Sequence, residues 1–528
     1  MNVCGDFVNW PTRDADHLIV SDEQMDTLEK DVFVHGMPVA ALMEKAGLLI
    51  SRWILKRSDL IQEGVVVLVG PGHNGGDGLV VARELYLQGV KVSIWCPIQI
   101  TKELTAHHFS YAKWIGIEIL ETPPATNSNL LWIEALFGLG QSRPLPKEIS
   151  SLLIARQVNC PGRLISLDVP AGMCSNQGIA FNGVAATAAY SLSIGLIKKG
   201  MLQDSALKYV GNLVRIDIGF NQHSLEKLPK TQSFRICSKD LNTFKLPKLP
   251  LEASKYQRGK VMIFAGSNKY RGAGLLAING ALASGAGSVN AFVPKIIADS
   301  LWNISPEVIL EGELNSSSDG SSLINEKLQN VDFDRFDSLL IGPGIGIGKE
   351  SWDDFSCPLE SFPGILVLDA DALNRLSTSS QGWKWLHKRK GPTCITPHRK
   401  EFNRLFPCID SSLSLLDAAI EAASISRSII VLKGAHTVIA DPLGNSWQIG
   451  KSIPFVARAG LGDVLAGFVS GIGSIGIAAN HSVDGQLISG AVLIHSNAAN
   501  SCVKGSTASA ISVHLGRILK ELQINQMS

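Results

Sequence analysis

The sequence predicts two α/β domains, each built around a largely parallel sheet. Three observations carry this expectation. Short apolar runs recur along the chain, separated by stretches of helical pattern. That rhythm marks βα units around a buried sheet, whose strands are apolar on both faces. It is interrupted once, after Gly219, by a polar stretch containing Lys and Pro. A chain of 528 residues also matches about two to four domains.

The elements follow in order. SDEQMDTLEKDVFVHGMPVAALMEKAG reads as helical; Ser21 with Gln24 forms a capping-box signature, and Gly47 reads as a stop. The runs VVVLVG, KVSIWCP, LLWIEALFG, RLISLDVP, AAYSLSIGL and LVRIDIG then predict the strands of a first, Rossmann-like parallel-sheet domain over residues 1–225. Residues 226–250 read as a connector. A second series follows in residues 251–528: KVMIFAG, SVNAFVP, SLLIGPG, GILVLDAD, GPTCITP, SIIVLKG and HTVIAD, with apolar helices from LGDVLAGF onward. No sequence repeat links the two halves. SSSDGSS, near Ser316, reads as a mobile surface loop.

Composition narrows the function. Hydrophobic residues make up 45% and charged residues 18%, enough for large cores. A formal net charge of +1 gives no electrostatic reason to expect nucleic acid or an anionic membrane as a partner. The nine cysteines are scattered singly, without a CxxC pair, so neither a zinc site nor a disulfide framework is expected, and a reducing cytoplasm fits. The N-terminus lacks the pattern of a signal peptide. GLLAINGALASGAGSVNAFV is about long enough to span a bilayer, yet its Gly, Ala and Ser content reads as a buried helix followed by a strand.

One turn of the first domain stands out. VVVLVGPGHNGGDGLVVARELYLQG contains Gly70-x-Gly72-x-x-Gly75 between a strand and a helix, which is the bare dinucleotide fingerprint. An ordinary nicotinamide site places an acid about 20 residues on, against the ribose. Here the next strand ends in Cys96 and Pro97, and the turn carries His73, Asn74 and Asp77 instead.

The second domain carries a phosphate apparatus. In Gly460-Leu461-Gly462-Asp463 the glycines let backbone N–H groups converge on an anion, and the following helix adds its positive end. Asp463 there is either a general base beside an anion hole or a helix N-cap. Lys433-Gly434 closes a strand and leads into Ala435, His436 and Thr437, at the edge where nucleotides bind. Gly342-Pro343-Gly344-Ile345-Gly346 ends another strand in a turn open to close approach. Asp369 and Asp371 either orient a ligand or hydrated Mg²⁺ or cap a helix. His398, followed by Glu401, either meets a ring or lies at the surface.

GKVMIFAGSNKYRGAGLLA, IGPGIG, VLDADALN, TPHRKEFNRL, VLKGAHTVI and GLGDVLAGF occur in this order. Together they resemble the C-terminal half of the bifunctional NAD(P)H-hydrate repair enzymes, over residues 240–520. The resemblance implies a ribokinase-like α/β fold and a dehydratase using ADP or ATP as phosphoryl donor, with Mg²⁺. It implies nucleotide at Lys433, Gly434, Ala435, His436, Thr437 and Gly462. The hydrated nicotinamide is then expected at Ala273, Gly346, His398 and Asp463, with Asp463 as base. Leu461 stands where the family has Ser or Thr, and Asn500, in HSNAAN, where an acid is common.

The first domain resembles the epimerase half of the same enzymes over residues 15–222, through LMEKAG, GPGHNGGDG, EALFGLG and LDVPAG. The resemblance implies substrate, NADHX or NADPHX, at His73, Asn74, Gly75, Gly76 and Asp77. It implies further contacts along Gly138, Leu139, Gly140, Gln141, Ser142, Arg143 and Pro144, with Asp168 as the proton acceptor. It implies K⁺ at Asn74, Glu134 and Ala171; the family has Asp and Ser at the last two. Lys198 is a further candidate, read otherwise as a solvated lysine. A homo-oligomer is expected. The alternative is a ribokinase-like small-molecule kinase whose N-terminal dinucleotide-binding module lacks epimerase activity.

Overall fold

The computed structural model describes residues 10–250, 252–450 and 456–527. The chain forms two compact units, one of residues 12–233 and one of residues 234–527 with residues 10 and 11. The stretch expected as a connector does not run free: residues 226–233 belong to the first unit and residues 234–250 to the second.

The first unit contains β1 (Ile19–Val20), β2 (Val65–Val69), β3 (Val92–Trp95), β4 (Glu118–Leu120), β5 (Leu131–Ala135), β6 (Leu164–Leu167), β7 (Tyr190–Ile194), β8 (Ile197–Lys198) and β9 (Asn212–Ile216). Seven of these form one sheet in the order β4-β3-β2-β5-β6-β7-β9, all pairs parallel. β1 pairs with β8 separately. Side chains alternate across a strand. Val65, Val67 and Val69 of β2 therefore enter one buried cluster and Val66 and Leu68 another, which explains the unbroken apolar run. The chain walks outward from β2 to β4, then returns to β5 beside β2. This reversal opens a crevice at the carboxyl ends of β2 and β5, where ligands of such sheets bind.

The predicted N-terminal helix is two helices, Asp22–Val34 and Val39–Leu55. The capping box forms: Ser21 Oγ accepts from Gln24 N, and Gln24 Oε1 from Ser21 N. Gly47 is not a stop. It is buried mid-helix, where a Cβ would lie 2.3 Å from Val80 Cγ1, so it is Gly for contact with the helix His73–Leu87.

The second unit contains β10 (Phe234–Ile236), β11 (Lys260–Phe264), β12 (Ser288–Pro294), β13 (Ile309–Ser316), β14 (Ser322–Leu323), β15 (Ser338–Ile341), β16 (Ile365–Leu368), β17 (Thr393–Ile395), β18 (Ile429–Leu432), β19 (Val438–Ala440) and β20 (Ser446–Ile449). They form one sheet in the order β10-β20-β19-β18-β17-β16-β15-β11-β12-β13-β14. From β13 to β18 every pair is parallel. Strand order reverses between β11 and β15, which again opens a crevice at their carboxyl ends. SSSDGSS is an ordered turn: β13 and β14 pair antiparallel through it, and Ser322 Oγ donates to Gly266 O at 2.8 Å.

The apolar helix Leu461–Ala478 is long enough to cross a membrane, yet 72% of it is buried inside the unit. It packs on the helix Arg271–Ala283 backbone to backbone. A Cβ on Gly467 would lie 1.9 Å from Ala277 O, and one on Gly280 2.1 Å from Val464 O. The stretch that begins in GLLAINGALAS is accordingly a helix followed by β12.

Candidate active sites

In the second unit the candidate residues come from successive strand ends. β11 leads to Ala273, β15 to Gly342–Gly346, β16 to Asp369 and Asp371, β17 to His398 and β18 to Lys433. Gly344 lies against Ala273: a Cβ on it would stand 2.6 Å from Ala273 Cβ. Gly346 N–H donates to Asp371 Oδ2 at 2.8 Å, and Gly346 O accepts from Arg375 Nε at 2.9 Å. Arg375 is buried and paired with Glu350 at 3.2 Å. It pins the turn, a role the local sequence did not reveal.

Lys433 is no solvated lysine. Its Nζ donates to Asp369 Oδ1 at 2.7 Å, and Thr396 Oγ1 donates to the same oxygen at 2.8 Å. The ammonium also stands at the helix start, 3.2 Å from where a Cβ on Gly462 would lie. Thr437 Oγ1 donates to Gly434 O at 3.0 Å and closes the turn through Ala435 and His436. His398 caps the helix Arg399–Leu405: its Nδ1 accepts from Lys400 N at 3.1 Å and Glu401 N at 3.3 Å. Its ring is half exposed.

Asp463 is not an N-cap. Gly460, at φ 88°, holds that position, and Asp463 sits in the first turn with no cap bond. Burial pushes its carboxyl up to about 7, with Asp369 adding to the shift and Lys433 opposing it. A carboxyl poised there suits a general base. Beneath the turn, burial drives the His495 imidazole down to about 4 while it hydrogen-bonds the Leu461 backbone. Its Nε2 has no partner among the described residues. HSNAAN placed this histidine on a late helix, but only the fold brings it under the turn.

In the first unit the glycine turn closes on the switch point. A Cβ on Gly70 would lie 1.7 Å from Leu136 O, and one on Gly75 2.1 Å from Gly70 O. Asn74 donates to Leu167 O at 3.4 Å, and Gly138 lies against Asn74 and the Asp168 carboxylate. Gly76 is buried against Met43, whereas His73 is exposed. Asp77 lines a small pocket with Glu29 and His73. Burial, reinforced by Asp168, raises the Asp77 carboxyl well above the usual carboxylate range, and burial raises Glu29 to about 7. Glu29 comes from a helix the motifs did not flag.

Asp168 sits at φ 65°, a strained conformation for a non-glycine residue. Its Oδ1 accepts from Ile194 N at 3.1 Å and pairs with the Lys198 ammonium. Lys198 is fully buried, not solvated, and its Nζ donates to Ile194 O at 2.7 Å. Gln141 turns inward and ties two loops together: its Nε2 donates to Gly138 O at 3.0 Å, and its Oε1 accepts from Gly172 N at 2.6 Å. Ser142, Arg143 and Pro144 are exposed beside it, with Leu139 half-buried and Gly140 at φ 77°. Glu134 is wholly buried, near Ser166 and Ala171. Among the described residues no group of three His, Cys, Asp or Glu side chains is arranged to hold a metal ion.

Comparison with known proteins matches both units. The NAD(P)H-hydrate dehydratase family matches residues 261–521, and the YjeF-related protein N-terminus matches residues 39–200. The chain is 39% identical to a bifunctional NAD(P)H-hydrate repair enzyme from Synechocystis, over 86% of this chain and 85% of the relative. It is 38% identical to one from Gloeobacter violaceus, over 86% and 88%, and 35% identical to one from Thermosynechococcus vestitus, over 86% and 88%. The kinase alternative is not favoured by these relatives. With two largely parallel-sheet α/β units and this similarity across both, the chain belongs to the bifunctional NAD(P)H-hydrate repair enzyme family.

Proposed function

We propose that the first unit interconverts the R and S epimers of NADHX and NADPHX. The second unit then dehydrates the S epimer with ADP or ATP, releasing AMP or ADP and phosphate. The observation that carries this reading is Asp463. A carboxyl raised to about 7 stands at a helix start whose open N–H groups and neighbouring Lys433 attract phosphate.

Hydration of the 5,6 double bond leaves a hydroxyl on carbon 6, a poor leaving group. Asp463 takes its proton as the oxygen attacks the terminal phosphorus of the nucleotide. Backbone amides near Gly462 and the Lys433 ammonium steady the transferred phosphoryl group. Phosphate then departs from carbon 6, carbon 5 loses a proton, and the double bond returns. Magnesium binds through one or two carboxylates plus phosphate oxygens; here Asp369 and Asp371 at the end of β16 would hold it with the nucleotide, and it would neutralise phosphate charge.

In the first unit carbon 6 bears both the hydroxyl and the ring nitrogen. Asp168 takes the hydroxyl proton as a carbonyl forms at carbon 6; the carbon–nitrogen bond breaks with its electron pair leaving on nitrogen, which takes up a proton. The nitrogen then adds to the opposite face of the carbonyl as it gives up that proton, and Asp168 returns its proton to the oxygen. The Lys198 ammonium, paired with Asp168 and donating to Ile194 O, holds that carboxylate in place.

The test is incubation of the full chain with S-NADHX and either nucleotide. Recovered dihydronicotinamide absorbance with equal inorganic phosphate is expected. A stable phosphorylated product without recovery would establish the kinase alternative instead.

A further inference from the structure

Potassium is implied for the first unit through Asn74, Glu134 and Ala171, and the residues present do not fit it. A hard cation needs several oxygens whose lone pairs are free to face it. Glu134 offers none freely. Its Oε1 accepts from Leu136 N at 2.8 Å, and its Oε2 from Ser166 Oγ at 2.7 Å and Ala171 N at 3.1 Å. The Phe137 N–H also faces this carboxyl. Ala171 has no hydroxyl, and its carbonyl already accepts from Ala186 N at 2.8 Å. In this donor set the buried oxygen without a partner is Asn74 Oδ1, a single neutral amide oxygen.

We propose that Glu134 replaces the ion, so that the first unit organises its substrate loops without potassium. The argument is one of sign and reach. A cation gathers carbonyl and hydroxyl oxygens around itself. A carboxylate gathers N–H and O–H donors, and that is what surrounds Glu134. Relative to an Asp at this position, one added methylene carries the carboxylate about 1.5 Å further, into the space between the end of β5, Ser166 of β6 and the turn at Ala171. The same three pieces of backbone are thereby fastened, with N–H and O–H donors converging on one carboxyl. The absent hydroxyl at residue 171 leaves that residue's N–H as its contribution to the hub. A positive charge is still supplied close by, from the Lys198 ammonium on Asp168.

The activity arm of the test rests on the epimerase reading; the binding arm does not. R-NADHX is given to the full chain without nucleotide, in potassium or in sodium as the only monovalent cation, and the R-to-S ratio is followed by chromatography. The natural chain is expected to run equally in both, within a factor of about two. The double variant Glu134→Asp with Ala171→Ser restores a carboxylate of shorter reach and a hydroxyl. It is expected to become faster in potassium by about tenfold, the scale of adding ligands to a metal site, and to gain a potassium-specific rise in melting temperature over the natural chain. A natural chain that needs potassium would overturn the proposal, as would a double variant indifferent to potassium in both rate and melting. If no epimerisation occurs in either salt, the epimerase reading fails, and the potassium-specific melting difference between the two chains decides this inference alone.

Discussion

Lys433 and Asp369 form an ion pair that reaches past an intervening strand: from the end of β18, beyond β17, Nζ meets Oδ1 at the end of β16, 2.7 Å away. The pair sits beside the Gly462 helix start, so the cation that holds the acid also faces the proposed phosphate position. Substituting Lys433→Met leaves Asp369 buried and unpaired, at a cost of about 3–5 kcal/mol, and raises the nucleotide KM. The double variant with Asp369→Asn should recover melting temperature but not nucleotide affinity. Thermal unfolding and initial rates against nucleotide concentration check both.

Asp463→Asn removes the proposed base while keeping the shape. Dehydration is expected to fall by about 10²–10⁴-fold, with R-to-S interconversion unchanged. The paired assays, absorbance recovery and epimer ratio, separate the two units.

The pH profile follows from the raised carboxyl of Asp463. Below about 7 the group is protonated and cannot accept a proton. Dehydratase kcat/KM should therefore rise by about tenfold per pH unit up to that value and then level. An ordinary carboxylate would give a flat profile over this range.

Lys198→Met strips the partner from Asp168. Epimerisation should drop by about 10²-fold or more, and the melting of the first unit should fall, because a buried carboxylate loses its cation. S-hydrate dehydration should be unaffected.

Gly467→Val tests the helix seam. With Ala277 O 1.9 Å from the added Cβ, overpacking should cost about 1–3 kcal/mol or more, read as a lower melting temperature and a slower dehydratase.

The strands were legible because a parallel sheet buried on both faces writes itself as an unbroken apolar run, as VVVLV does. The turn at Gly70–Gly75 was legible because Gly70 and Gly75 meet backbone too closely for a side chain, and that at Gly460–Asp463 because Gly460 takes φ 88°. What was not legible depends on distant pairing. Lys198 reads as solvated until β8 is seen beside β1, and β10 pairs with β20 more than two hundred positions along the chain. Glu29 and His495 reach their sites from helices whose own patterns show only amphipathic packing. SSSDGSS has the composition of a loose loop, yet both of its flanks are paired. Gly47 looks like punctuation and is a contact.

The seam between Gly467 and Ala277 joins main chain to main chain, with no side chain between them that could adopt another rotamer. The helix that presents the proposed proton acceptor and the helix that begins at the proposed nicotinamide wall therefore share one rigid frame. Warming or mutation cannot slide one against the other by degrees: the reactive gap should hold its width until the whole seam gives way, and activity should end abruptly.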